Sequence, residues 1–215
     1  MRNSASREAE EETLDPADWQ SLRQQGHRML DDMLDYLENL RERPVWQPIP
    51  QQVRDSFRQE LPSEPTSLAD VHETFWQDIL PYAVGNAHPG FMGWVHGGGT
   101  AVGMLAEMLA AGLNANLGGR DQAPLEVERQ VLQWVKELFG FPQEATGLFV
   151  TGSSLANLIG VLVARSKALG LAVRKRGIAD SNVRLVAYTS AAAHGCIAQA
   201  MEIIGLGSDA LRRIP

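Results

Sequence analysis

The sequence has little of what would bind nucleic acid, hold a metal through cysteine, or cross a membrane. Cys196 is the single cysteine among 215 residues, which excludes an internal disulfide and a cysteine-based metal site. The 26 acidic residues outnumber the 19 Lys and Arg residues, so nucleic acid is not expected as a partner. No run approaches the roughly 18 apolar residues of a membrane helix. We therefore predict a cytoplasmic protein.

The N-terminal third is predicted to be a helical arm. Residues 1–14 are predicted to form a disordered acidic tip, and residues 15–80 an arm with a connector. Asp15 and Pro16 are typical of a helix start, and apolar residues at helical spacing follow as far as Leu40. The proline-rich segment 44–65 is predicted to be extended, and Ser67 is expected to cap a second helix running to about Leu80.

A loop and two helices are predicted next. Residues 86–100 are rich in glycine and aromatic side chains, which favours a loop. The segment 101–117 is almost uncharged, so its helix should be buried on most sides. Segment 125–139 has a helical apolar stripe, and Gly140 is expected to end that helix in a left-handed conformation.

Residues 81–215 are predicted to form part of an α/β domain. The run "GLFV" at 147–150 reads as a strand, 153–170 as a helix, "VRLVAYTS" at 183–190 as a strand and 192–205 as a helix. This order predicts parallel strands joined by crossover helices. Ligands of such sheets gather at the carboxyl ends of the strands, where the turns 151–154 and 189–194 fall.

The turn Thr151-Gly152-Ser153-Ser154 is the first candidate site. A helix N-terminus offers unpaired N–H groups, glycine allows close approach and serine adds donors, a combination that suits a phosphate group. The turn lacks the glycine–lysine pattern of nucleotide-hydrolysing loops and the three-glycine pattern of dinucleotide folds. Taken alone, it is explained at least as well by serine capping.

Three histidines are the other candidates. His194 follows the second predicted strand among small residues, and it either caps a helix or places a flat ring above a ligand. His88 and His96 could suggest a metal, but no third ligand lies near them in sequence, so we predict no metal site. A pocket wall formed by Phe91, Trp94 and His96 is the better interpretation.

These segments, taken in order, resemble the group II pyridoxal-phosphate-dependent amino acid decarboxylases. The resemblance is carried by "HPGFMGW", "NANLGGRDQAPLEVERQVLQWV", "GLFVTGSSLANLIGVLVARSKA" and "VAYTSAAAHGCIAQA", and it covers residues 17–215. It implies an aspartate-aminotransferase-like fold (fold type I), a homodimer, pyridoxal 5'-phosphate as cofactor, and a lyase activity in amino acid metabolism. Residues 81–215 would be the first part of the large cofactor-binding domain.

The resemblance also implies residue roles. It implies that the cofactor is bound by Thr151, Gly152, Ser153, Ser154 and Asn157, with His194 stacked on its ring as the catalytic histidine. It implies that the substrate pocket is lined by Phe91, Trp94, His96, Gly97 and Asn116. The arm 17–42 would clasp the partner subunit, and the turn 114–124 would approach the partner's active site.

The chain departs from this family in one important respect. Lys136, Lys167 and Lys175 are the only lysines, and all three read as exposed helical residues rather than as the Schiff-base lysine, which the family carries further along its chain together with the aspartate that pairs with the ring nitrogen. We therefore expect the isolated chain to be inactive. A non-catalytic remnant that binds phosphate ligands or dimerises, and an unrelated phosphate-binding α/β domain, remain as alternatives.

Overall fold

The structure is a computed structural model that describes residues 13, 15–118, 121–179 and 181–215. Of the acidic tip predicted for residues 1–14, all but Thr13 lies outside the described residues. The chain divides into two compact units, Met1–Ala115 and Asn116–Pro215, and each is described by itself.

The first helix, α1, spans Trp19–Glu38 and begins later than the sequence suggested. Its cap is Asp18 and not Asp15, because the Asp18 carboxylate accepts hydrogen bonds from the N–H of Gln20 (2.8 Å) and the hydroxyl of Ser21 (2.7 Å). The bond from the Ser21 hydroxyl, followed by those from backbone N–H groups, holds the pKa of Asp18 below its ordinary value.

The prediction that the proline-rich connector is extended throughout is wrong. It contains the short helix α2, Gln51–Ser56, which starts directly after Pro50. Ser67 caps α3, Leu68–Thr74, by accepting the N–H of Asp70 at 3.1 Å, which confirms the predicted helix start. The helix continues as a wide turn, Phe75–Ile79, and then as a tight turn containing Pro81, which has no N–H to donate to a further helical turn.

Helices α1 and α3 pack around a buried histidine. His72 is 6% exposed, with its Nδ1 at 3.2 Å from Nε2 of Gln25 and its Nε2 at 3.5 Å from a carboxylate oxygen of Asp32. Trp76 meets the rings of His72 and Tyr36 edge-on. Helix α1 is therefore fixed to α3 and the turn after it by polar contacts as well as by aromatic ones.

Helix α4, Ala101–Leu113, is capped by the Thr100 hydroxyl, which accepts the N–H of Gly103 at 2.9 Å. The prediction that this helix is buried on most sides is wrong for the chain by itself, since Val102 is 77% exposed and Leu109 is 70% exposed. The described elements of this unit do not cover its apolar surface.

The second unit begins with helix α5, Ala123–Phe139, which ends at Gly140 with a left-handed φ of 63° as predicted. Helix α6, Ser153–Leu169, and the short helix α7, Val173–Arg176, follow. Strand β1, Ala187–Ser190, helix α8, Cys196–Ile203, and strand β2, Leu211–Ile214, complete the unit.

Strands β1 and β2 pair in parallel, Ala187 opposite Leu211 and Ser190 opposite Ile214, with α8 as the crossover. The parallel pairing agrees with the predicted α/β arrangement, although β2 was not among the predicted strands. The run 147–150 is not a strand in the structure, in contrast to the prediction. Among the described residues β1 pairs with β2 alone, so residues 147–150 have no neighbouring strand with which to form backbone hydrogen bonds. The N–H of Phe149 donates instead to the Glu128 carboxylate at 3.1 Å.

The best-buried side chains of this unit lie between α6 and α8. Met201 is fully buried, and Cys196, Ala200 and Ile204 are each no more than 6% exposed. Arg165 of α6 donates from Nη1 to the carbonyl oxygen of Ile204 at 2.6 Å. The small core therefore holds α8, and the loop before it, against α6.

Candidate functional site

The N-terminus of α6 has no side-chain cap. Its N-cap residue is Gly152, with φ 82° and ψ 151°, and Ser153 and Ser154 are the first two helical residues. The alternative in which a serine caps this helix is therefore wrong. The first-turn N–H groups remain available, and the end of a helix carries roughly half a positive charge.

Glycine at 152 is required by the backbone and not by crowding. A Cβ there would meet nothing within 4 Å, whereas φ of 82° with ψ of 151° is a conformation that other residues rarely adopt. Thr151, Ser153 and Ser154 are all exposed around this turn. The result is an open cradle of N–H and hydroxyl donors, which fits a phosphate group.

His194 lies in the loop between β1 and α8. The hydroxyl of Ser190 accepts the N–H of Ala192 at 3.1 Å, which shapes the turn after the strand. His194 is exposed, and its Nδ1 accepts the backbone N–H of Cys196 at 3.1 Å. The imidazole is thus held from one side by the first residue of α8 and is open on the other.

Asn157 links the two halves of this site. Its Nδ2 lies 3.5 Å from the Sγ of Cys196, so the first turns of α6 and the start of α8 are in polar contact. Neither this contact nor the bond from Cys196 to His194 was predicted from the sequence. A signal for it existed, because Asn157 is a polar residue next to the apolar stripe of its helix.

The predicted pocket wall lies in the first unit. His96 stacks on Phe91 (5.6 Å between ring centroids) and on Trp94 (5.7 Å), so the three rings form one aromatic stack. Trp94 is 82% exposed and has a φ of 48°, which is uncommon for a bulky residue. The carbonyl of Gly97 accepts from Nδ2 of Asn86 at 2.7 Å. These contacts give the glycine-rich loop a defined shape.

Asn116 stands at the start of the second unit, in a turn of its own. Its Oδ1 accepts the N–H of Gly118 at 2.9 Å, and its carbonyl accepts from the side chain of Gln122. The side chain therefore fixes a local turn in this chain.

The three lysines lie on α5, in the last turn of α6 and on α7. Lys167 and Lys175 are exposed, as predicted. Lys136 is half-buried, contrary to the prediction, because its Nζ donates to the side chain of Gln133 and to the carbonyl of Gln143.

Within residues 13, 15–118, 121–179 and 181–215, no three His, Cys, Asp or Glu side chains cluster as metal ligands. Within the same ranges no helix combines the length and the apolar character needed to span a bilayer.

Comparison with known sequences gives consistent matches over most of the chain. Residues 50–215 match the pyridoxal-dependent decarboxylase conserved domain. Tyrosine decarboxylase 2 of Narcissus pseudonarcissus is 30% identical in an alignment 206 residues long that covers 91% of this chain and 40% of that protein. Aromatic-L-amino-acid decarboxylase of Bacillus atrophaeus is 26% identical over 91% of this chain and 39% of its own length. The chain thus spans about two fifths of these relatives.

Solved structures agree with this fold. Tryptophan decarboxylase of Catharanthus roseus superposes with a TM-score of 0.76 at 26% identity, covering 94% of this chain and 44% of that one. Mouse CSAD, at 21% identity and a TM-score of 0.79, covers 92% of this chain and 42% of its own, and it supports the fold alone. The described helices and strands are accordingly part of a fold type I domain.

An uncapped helix N-terminus that suits a phosphate, a partial α/β domain and a family match over residues 50–215 agree with one another. The chain belongs to the pyridoxal-dependent decarboxylase family, whose cofactor is pyridoxal 5'-phosphate.

Proposed function

We propose that this chain supplies the phosphate anchor and the ring-stacking histidine of a pyridoxal-phosphate-dependent L-amino-acid decarboxylase. The observation that carries the proposal is the N-terminus of α6. Its N-cap residue is Gly152, so no capping side chain accepts from the first-turn N–H groups, and the hydroxyls of Ser153 and Ser154 lie beside them. A dianionic phosphate is stabilised there by the N–H groups, by the serine hydroxyls and by the helix dipole.

The cofactor, when bound, provides an electron sink for the charge left on the substrate after loss of CO2. The task of the chain is to bind and orient. Ser153 and Ser154 would hold the phosphate, and Thr151 would flank it. His194 would lie against the ring face and hold a proton at the nitrogen that does not face Cys196. A cofactor held both at its phosphate and at its ring face would keep the bond to the departing CO2 in one orientation relative to the ring.

The pocket wall supports a substrate with an aromatic side chain. The piled rings of Phe91, His96 and Trp94 offer flat apolar surfaces, and the segment 86–100 contains no Lys or Arg that would pair with an acidic side chain. The names of the plant and Bacillus relatives point in the same direction. Gly97, in the same loop, would complete this wall.

Exposed apolar surface supports a homodimer. On α4, Val102, Leu109 and Leu113 are each at least 65% exposed, and on α1 Trp19 is 62% exposed. A second copy of the chain would remove such surface from water, at roughly 25 cal/mol per Å² of apolar area. The arm would pack on that partner.

None of the three lysines follows a strand end or lies beside the α6 N-terminus in sequence, so we propose that the 215-residue chain does not turn over substrate by itself. Catalysis would need further residues like those that the relatives carry beyond the matched two fifths.

Titration of the chain with pyridoxal phosphate tests the phosphate anchor. We expect saturable binding, tighter than that of pyridoxal, which lacks the phosphate, and a Ser153→Ala/Ser154→Ala variant with affinity reduced at least tenfold. The matched control is Ser166→Ala in the same helix, whose hydroxyl bonds the carbonyl of Leu162 and which should bind as the parent does. Equal affinities for pyridoxal and pyridoxal phosphate would refute the anchor.

Borohydride reduction of the same samples tests the lysine argument. We expect no lysine to be trapped in stoichiometric yield. A defined adduct at Lys136, Lys167 or Lys175 would contradict the proposal that the chain lacks the tethering residue.

A further inference from the structure

Helices α6 and α8 run in the same direction and are joined by polar contacts at both ends of their interface. Near the start of both helices, Nδ2 of Asn157 lies 3.5 Å from Sγ of Cys196. Near the end, Nη1 of Arg165 donates to the carbonyl of Ile204 at 2.6 Å. The members of each pair advance by the same eight residues along their helices. The two helices are therefore held in one register.

The contact at the start of the helices reaches His194. The backbone N–H of Cys196 donates to Nδ1 of His194 at 3.1 Å. A ring nitrogen that accepts a hydrogen bond carries no proton, so the neutral imidazole must carry its proton on Nε2. The position of Cys196 thus sets both the tilt of the ring and its tautomer.

The Cys196 thiol has little freedom of its own. The residue is 6% exposed, and its neighbours on the buried face of α8, Ala200 and Met201, are more deeply buried still. The side-chain amide of Asn157 makes a polar contact with its sulfur. Loss of that amide would free the first turn of α8 to shift and would weaken the bond that its N–H makes to Nδ1.

We propose that Asn157 is a positioning residue, which acts through Cys196 to hold the neutral His194 ring as the Nε2–H tautomer. The importance of this tautomer for catalysis rests on the proposed function, since it leaves a donor on the ring edge away from Cys196. The helix that presents the phosphate-binding turn then also fixes the histidine, so that the two binding elements keep a constant relation.

Nitrogen NMR of the 215-residue chain with ¹⁵N-labelled histidine measures the tautomer directly. The His194 signals are assigned by their loss in His194→Gln, and spectra are recorded at a pH where the ring is neutral. The parent should show a non-protonated Nδ1. In Asn157→Leu, the ratio of the Nε2–H to the Nδ1–H form should fall roughly three- to tenfold, the loss expected for one ordinary hydrogen bond.

Cys196→Ala provides a second route to the same result. It keeps the backbone N–H but removes the sulfur, and alanine is well tolerated at a helix start. It should lower the ratio as Asn157→Leu does, and the double variant should lower it no further. This variant decides the question if Asn157→Leu does not fold.

Arg165→Gln is the matched control, because it weakens the other end of the same interface without touching His194. It should leave the tautomer ratio unchanged. The inference is overturned if Asn157→Leu and Cys196→Ala leave the ratio at the parent value, or if Arg165→Gln lowers it equally. Adding pyridoxal phosphate separates this inference from the proposed function. If the His194 signals do not shift, the proposal that His194 stacks on the cofactor is contradicted, whereas the effect of Asn157 on the tautomer ratio is unaffected.

Discussion

Arg165 donates a hydrogen bond from Nη1 to the carbonyl oxygen of Ile204, so a charged side chain of α6 closes the C-terminal end of α8. The last carbonyls of a helix have no hydrogen-bond partner within it and carry partial negative charge. A guanidinium supplies both the donor and the positive charge that they need. Ile204 is 5% exposed, so water cannot readily replace this donor.

Arg165→Gln should therefore destabilise the second unit by about 1.5–3 kcal/mol, the range for a hydrogen bond to a charged group. Urea unfolding followed by circular dichroism measures the change. Arg174→Gln is the control, because Arg174 is exposed on α7 and the substitution changes net charge equally. Equal losses in the two variants would show that charge alone is responsible.

Gly152→Ala should be destabilising by about 1–3 kcal/mol and should weaken pyridoxal phosphate binding, since a φ of 82° with ψ near 150° is strained for any residue with a Cβ. Gly160→Ala, in the middle of the same helix, should have the opposite sign. A Cβ at 160 meets nothing within 4 Å, and alanine favours a helix by about 0.5–1 kcal/mol over glycine. Thermal unfolding of both variants checks the pair of signs, and destabilisation by both would contradict this account.

The first turn of α1 should depend on pH through Asp18. Hydrogen bonds from the Ser21 hydroxyl and from backbone N–H groups lower the pKa of this carboxyl in the folded chain. Its capping contribution is therefore present above the unfolded-state pKa and is lost as pH falls through the folded-state pKa. The protection of amides 19–22 against hydrogen exchange, taken relative to the intrinsic exchange rate at each pH, should therefore fall on acidification.

Asp18→Asn keeps a capping oxygen without a titrating group, so it should remove this pH dependence while retaining the cap. Asp31→Asn, at an exposed position within α1, is the control and should behave as the parent does. An unaltered pH profile in Asp18→Asn would assign the effect to another carboxylate.

Leu109→Lys should reduce self-association of the chain. Leu109 is 70% exposed on α4, near Val102 and Leu113 on the same side of the helix, and a charge there makes burial against a second copy unfavourable. Sedimentation velocity should show at least a tenfold weaker association than in the parent.

Leu61→Lys adds the same charge at a side chain that is 93% exposed in the connector, and it should associate as the parent does. If both variants remain as associated as the parent, the surface of α4 is not the interface, and the proposed homodimer must use another one.

Local signals in the sequence were sufficient for most helices and for strand β1. Ser67 and Gly140 mark helix ends by chemistry that acts within a few residues, and both were predicted correctly. Asp15 was mistaken for the cap because Asp18, three residues later, offers the same chemistry, and the choice depends on which carboxylate meets the helical N–H groups.

The errors concern features that depend on distant parts of the molecule. The run 147–150 has strand-like residues, but a strand needs a neighbour, and the described sheet has only two members. The apolar character of α4 indicated burial, but none of the described elements of its unit covers Leu109. The contact from Asn157 to Cys196 joins residues far apart in sequence, so neither helix reveals it alone.

The equal spacing of the two contacts between α6 and α8 limits how this region can change in length. One residue added to a helix turns everything beyond it by 100° and advances it by 1.5 Å. An insertion between Asn157 and Arg165, or between Cys196 and Ile204, would carry one of these groups off the shared face, whereas an insertion in the connection between α6 and β1 would lie outside both intervals. The intervals 157–165 and 196–204 are therefore expected to resist insertions and deletions, while the connection that follows α6 can vary in length.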